Sequence, residues 1–193
     1  MAKHGFKAWC ERVALEKRLA LGLGGAAPLP ARALAGHMNV RVWYPSEIPN
    51  ISVTLLRSIS EIESGAWSAA TLVHSDKRLV ILNSSHPQGR QSNDLMHELA
   101  HLVCSHIPSQ TEMLPNGMMM VTGYDAEQEE EADLLAATLL LPRIALISIM
   151  EASLSIEVAA HRFLVSEELL RMRLQRAGVY QQFNRRGYRS APA

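Results

Sequence analysis

His97, Glu98 and His101 stand in the stretch DLMHELAHLVCSH, residues 94 to 106, and their types and spacing suit a hydrolytic zinc site. Four residues of α-helix advance the chain by about 6 Å and turn it by roughly 40°, so histidines at i and i+4 stand one above the other. That is the span two imidazoles need to grip one zinc ion at about 2.0 to 2.1 Å. Glu98 follows the first histidine and is turned away from direct ligation. It can take a proton from an activated water without occupying a coordination position. The pattern is short, however, and an amphipathic helix with packed or solvated histidines would carry the same five residues. A hydrolytic site needs a third protein ligand, and that ligand discriminates between the two readings.

Metzincins place a third histidine six residues after the second, following a glycine. Those positions hold Ile107 and Cys104 here, which excludes that class. Gluzincins instead supply a glutamate from a later helix, often with an acidic residue four positions on that orients one histidine. EEEAD, residues 129 to 133, resembles that arrangement. Glu129 and Asp133 share a helical face at i and i+4. By this resemblance Glu129 is the third ligand and Asp133 the carboxylate behind a histidine ring nitrogen. Glu131 is the alternative ligand. Carboxylates in a first helical turn also favour the helix dipole without any metal, which is a sufficient reason for Glu130 and Glu131.

The elements that must position these groups are legible from periodicity. Apolar spacing predicts a helix from Phe6 to Leu21, stopped by GLGGAAPLP, and a short helix from Pro30 to His37. Residues 39 to 43, 66 to 74 and 78 to 83 read as strands, the last two as an antiparallel pair. SSHPQGRQ is a loop, and Ser92, Asn93 or Asp94 is a possible cap for the histidine helix. IPSQTEMLPNGMMMVTGYD reads as irregular, and Met118-Met119-Met120 within it as adaptable packing, the alternative being a soft surface for an apolar peptide. Ala126 to Leu141 is a helix, acidic first and apolar afterwards, ended by Pro142. Ser155 to Gly178 reads as helix, turn, helix, with Ser166 as an N-cap. A disordered basic tail is expected after Phe183.

Composition bounds the function. The chain has 193 residues, enough for one well-packed domain, and its 19 basic and 19 acidic residues cancel. No global field draws it to nucleic acid or an anionic membrane. Charge is uneven locally: six acidic and no basic residues lie from Val121 to Asp133, and six arginines with no acidic residue from Arg171 to Arg189. Two cysteines, Cys10 and Cys104, are too few for a disulfide framework and fit a reducing compartment. We therefore expect a cytoplasmic protein. The N-terminus is interrupted by charge every few residues, unlike a secretory signal. LLAATLLLPRIALISIM is broken by Pro142 and Arg143 before it could span a bilayer.

HELAH followed by EEEADLLAATLLLP is similar to the paired signature of the ImmA/IrrE zinc metallopeptidases, as are the lead-in RQSNDLM and the N-terminal GFKAWCERVALEKRLALGL. The resemblance covers nearly the whole chain. It implies an α+β, gluzincin-like minimal metallopeptidase core with a small antiparallel sheet packed on helices, over residues 1–150. A helix-turn-helix-like region would follow over 151–193. It implies one zinc ion held by His97, His101 and Glu129, with Glu98 as proton acceptor and later donor to the leaving amine. Tyr124 is a candidate second donor to the developing oxyanion. The implied substrate is a protein, a helix-turn-helix transcriptional repressor, in stress response or mobile-element regulation. An edge strand at residues 66 to 74 would pair with extended substrate. DNA binding by the C-terminal helices is possible but disfavoured, because Leu169, Leu170, Met172 and Leu174 read as core contacts. The rival reading is a DNA-binding or antitoxin-like regulator with a structural or idle zinc site. His106, nine residues after His97, would turn to the opposite face of a continuing helix and lie past the site. His86 and Arg90 are expected to be solvated loop residues.

Overall fold

The computed structural model describes residues 5–48, 67–75, 77–114 and 117–189. It is an α+β fold with eight α-helices and a five-stranded open sheet among the described residues. In chain order the elements are α1 (Phe6–Ala20), α2 (Ala31–His37), β1 (Val40–Trp43), β2 (Ala69–His74), β3 (Lys77–Leu82), α3 (Gln88–Cys104), β4 (Gln110–Met113) and β5 (Met119–Gly123). Then follow α4 (Ala126–Leu140), α5 (Arg143–Glu151), α6 (Ile156–Phe163), α7 (Glu167–Arg176) and α8 (Val179–Arg189). No single described helix is long and apolar enough to cross a membrane.

The sheet order is β1-β3-β2-β5-β4. β2 and β3 form the expected antiparallel pair, with Thr71 opposite Val80; residue 66 of the anticipated strand and Asp76 of its turn lie outside the described residues. Two expectations need correction. β1 runs parallel to β3, so the sheet is not wholly antiparallel; a parallel pairing leaves no hairpin turn in the sequence to announce it. The stretch read as irregular contains a hairpin, β4–β5, in which Leu114 N–H donates to the Met118 carbonyl at 2.8 Å and Gly117 takes a left-handed φ of 79°. Gly117, whose N–H donates to the Leu114 carbonyl at 2.9 Å, lies in its turn. β2 is consequently not an edge strand. It lies between β3 and β5, pairing with β5 at Leu72 and Val73, and the edge on that side is the exposed β4.

α3 starts earlier than the anticipated caps. Pro87, whose ring fixes φ near −57°, stands at its N-cap, and Ser92, Asn93 and Asp94 lie inside the helix. The preceding loop is pinned to the helix surface. His86 Nδ1 is 2.9 Å from Asp94 Oδ2, and Gln91 Nε2 donates to the His86 carbonyl at 2.6 Å. His86 is therefore buried, not solvated, while Arg90 stays exposed. α4 is capped by Asp125, whose side chain accepts from Gln128 N–H, with Gln128 returning the contact in a capping box.

The core forms where α4 packs on α3 and α1: Leu95, Met96, Leu99 and Ala100 meet Leu135, Ala136, Leu139 and Leu140, with Cys10 and Val13 beyond. Two buried arginines satisfy carbonyls at the end of α4 that the helix cannot bond itself. Arg18 Nη2 donates to Leu140 O at 3.2 Å, and Arg173 donates to Leu141 O at 2.8 Å and to Glu11 at 3.0 Å. Arg173 belongs to α7, so this network ties the C-terminal helices to the rest. Gly89, in the first turn of α3, touches the α6–α7 turn so closely that an added Cβ would meet the Val165 backbone carbon at 2.9 Å. Ser155 and Ser166 cap α6 and α7. The tail expected to be disordered after Phe183 is helical to Arg189; Val179 is buried, Tyr180 and Phe183 pack on the core, and Gln182 accepts from Arg143 at 2.6 Å.

Candidate functional site

His97 and His101 project from one face of α3 towards the first turns of α4. Their Nε2 atoms are 3.0 Å apart, and Glu129 Oε2 lies 3.1 Å from the first and 3.7 Å from the second. Donor atoms around a tetrahedral ion with arms of about 2.0 to 2.1 Å sit about 3.3 Å apart. The three observed separations bracket that value. His97, His101 and Glu129 each offer one ligand atom to a common point, all within 4.8 Å of one another.

Proton placement makes the same point. Asp133 Oδ1 stands 2.9 Å from His97 Nδ1, and its carboxyl pKa is lowered by that hydrogen bond, so an ionised carboxylate accepts from Nδ1–H. The Nε2 lone pair of His97 then faces Glu129 and His101. Burial pulls the His97 pKa down, but the hydrogen bond to Asp133 and the charges of Glu98, Asp133 and Glu129 together outweigh it and raise the value. A proton is drawn to the position a cation would take. His101 is held neutral, its pKa lowered to about 3 by burial first and then by His97 and His106. Three acceptors converging on one point fit a divalent metal by donor chemistry as well as by distance.

Glu98 points from the same helix to the sheet. Thr71 Oγ1, buried on β2, donates to its Oε2 at 2.5 Å. Burial raises the Glu98 pKa, opposed by Thr71 and by His97. A carboxylate with a raised pKa beside a metal position is poised to take up and release a proton. Thr71 was not singled out in the sequence. Its only signal there is a hydroxyl at an inward position of an apolar strand.

Tyr124 follows β5 and lays its ring flat on His101, with centroids 3.7 Å apart and planes inclined by 14°. Burial first, then Glu98 and Glu129, push its hydroxyl up to about 12, so it stays protonated and able to donate. Cys104 is free and half-buried, its thiol pushed up to about 11 by burial and by Glu131.

His106 is not past the site. α3 ends in a Schellman turn: Ser105 takes a left-handed φ of 57°, its N–H donates to Leu102 O at 3.2 Å, and His106 N–H reaches back to His101 O at 3.0 Å. The reversal sets His106 beside His101, with the two Nδ1 atoms 3.0 Å apart and His106 Nε2 3.2 Å from Glu131 Oε2. The expectation assumed a continuing helix, and the residue at the left-handed position is serine, not the glycine that usually marks such an end. Glu131 accordingly faces His106, whereas Glu129 faces the two α3 histidines.

No curated protein matches the chain. The family model of peptidase M78, the IrrE N-terminal-like domain, matches residues 59–175, more than half of the sequence. That span contains the α3 histidines and all the α4 carboxylates. M78 metallopeptidases are generally zinc-dependent, and the His97, His101 and Glu129 cluster has the donor set such an ion takes. A metallopeptidase-type function on a protein substrate follows at the level of the family. On its sequence match and its α+β fold, this chain belongs to the IrrE N-terminal-like peptidase family.

Proposed function

We propose that the chain is a zinc-dependent endopeptidase acting on a helix-turn-helix transcriptional repressor, in the cytoplasm, as part of stress or mobile-element regulation. The observation that carries the catalytic part is the convergence of two histidine lone pairs and one carboxylate, each histidine having its other nitrogen engaged. His97, His101 and Glu129 hold the metal. A zinc ion bound there would supply the Lewis acidity that activates water and polarises a peptide carbonyl. Glu98, oriented by Thr71, removes a proton from the attacking water and passes it to the leaving amine. Asp133 fixes the His97 ring through Nδ1. Tyr124 donates its hydroxyl to the developing oxyanion.

The C-terminal helices from residue 151 are read as a region that completes this fold. Arg173 is used to cap α4, and the α6–α7 turn is pressed against Gly89. Glu167 and Glu168 occupy the first turn of α7, where a DNA-reading helix would meet phosphate. Repressor cleavage rests on the family resemblance and on the peptidase site together.

Co-expression with a helix-turn-helix repressor encoded beside the gene tests the reading. Wild type should convert the repressor to fragments visible by mass spectrometry. Glu98→Gln should leave it intact while the protein keeps one equivalent of zinc. An intact repressor in both cases would sink the substrate assignment, and equal cleavage in both would sink the role of Glu98.

A further inference from the structure

Each of the two α3 histidines needs its Nδ1 engaged if its Nε2 is to face a metal, and the structure meets the need in two different ways. His97 touches a carboxylate directly, at Asp133. His101 does not. Its Nδ1 faces another imidazole, His106, whose far nitrogen meets Glu131. All three groups of this second chain are buried.

We propose that His106 and Glu131 are positioning residues for the metal centre: Glu131 fixes the tautomer of His106, which fixes the tautomer of His101 and aims its Nε2 lone pair at the ion. The inference rests on the metal-site reading above. Two neutral imidazoles in line can hold their protons in only two concerted ways. In one, His101 Nδ1–H donates to His106 Nδ1, and His106 Nε2–H donates to Glu131. In the other, His106 Nδ1–H donates to His101 Nδ1. That second arrangement leaves the His101 proton on Nε2, blocking the metal, and sets a bare His106 nitrogen against the acceptor oxygen of Glu131 at 3.2 Å. A carboxylate at the end of the chain therefore selects the metal-competent state.

His106 is not itself a ligand in this arrangement. It lies on the Nδ1 side of His101, whereas His97 and Glu129 meet the Nε2 side. The local backbone explains the placement. The Schellman turn brings the residue two past the helix end onto the residue one turn back, so His106 falls beside His101. On α4, Glu129 and Asp133 share one face, while Glu131, two residues from each, is rotated by roughly 200° and reaches a different partner.

The test uses the full-length protein and zinc(II) in competition with a chelating dye. Glu131→Gln, which keeps the shape, should weaken zinc binding by about tenfold, and His106→Leu by about 10- to 100-fold. Adding Glu131→Gln to His106→Leu should cost nothing further, since Glu131 reaches the metal centre through His106. In the zinc-loaded wild type, long-range proton–nitrogen correlation spectra should show His101 protonated at Nδ1 and His106 at Nε2. Zinc binding within twofold of wild type in both single variants, additive losses in the double variant, or a His106 protonated at Nδ1 would each overturn the relay while leaving the peptidase reading intact. A wild type that binds no zinc would overturn both. A wild type that binds zinc through the relay yet cleaves no protein would refute only the proposed function.

Discussion

The two histidines of α3 belong to the same motif, one turn apart, and live in different media. On the His97 arm the ring is 22 % exposed and its carboxylate, Asp133, is 77 % exposed. On the His101 arm the exposures are 1 % for His101, 6 % for His106 and 11 % for Glu131, with Tyr124 stacked over the ring. One arm is wet and the other dry. A hydrogen bond to a carboxylate is screened in water and strengthened where water is excluded. The dry arm should thus hold its imidazole more firmly, and the wet arm should yield first to salt or to a competing ligand.

The difference can be broken experimentally, beginning with the largest effect. Removing a ligand should abolish stoichiometric binding whichever arm is cut: Glu129→Ala, like His97→Ala and His101→Ala, should lose its zinc on dialysis, measured by elemental analysis. Full zinc retention by Glu129→Ala would transfer the ligand role to another carboxylate. Next come the supports. Glu131→Gln should weaken zinc binding by about tenfold or more and Asp133→Asn by less, because exposed charge pairs contribute little. A larger loss at Asp133 would reverse the comparison.

A smaller effect is expected at the cover. Tyr124→Ala opens the dry arm to water and should reduce zinc affinity several-fold, on the order of one lost aromatic contact of about 0.5–1.5 kcal/mol. Tyr124→Phe keeps the ring and should leave zinc binding unchanged while slowing cleavage, which separates packing from the hydroxyl. Smallest is the salt response. Raising sodium chloride from 0.05 to about 0.5 M shortens the Debye length to below about 5 Å. The penalty of Asp133→Asn should shrink with that change and the penalty of Glu131→Gln should not. Equal salt responses would mean that the two arms share one environment.

Local periodicity carried the sequence reading a long way. The i, i+4 rule is enough to pair His97 with His101 and Glu129 with Asp133, since a helix puts those residues on one face wherever it lies. The Ser166 cap, the Pro142 stop and the β2–β3 hairpin are likewise local signals, and the structure has all three. The α+β class follows from them. Cross-chain choices were not legible. Which carboxylate among Glu129, Glu130 and Glu131 meets the histidines depends on how α4 is rotated against α3, and that rotation is set by Leu95, Leu99, Leu135 and Leu139 in the shared core. The parallel pairing of β1 and the interior position of β2 are set by the order of strands in the sheet, which no turn motif encodes.

His106 and Thr71 show the same division. By itself, the sequence determined a helix with two aligned histidines and a glutamate between them, and a second helix rich in carboxylates, because both are consequences of a 3.6-residue period acting on neighbours. Only the tertiary structure decided that a serine in the left-handed region would fold His106 back onto His101, and that β2 would carry Thr71 to Glu98. Those contacts join a reversed helix end to α4, and a strand to a helix 27 residues away. Their cause is packing between elements, and a one-dimensional pattern holds no record of it.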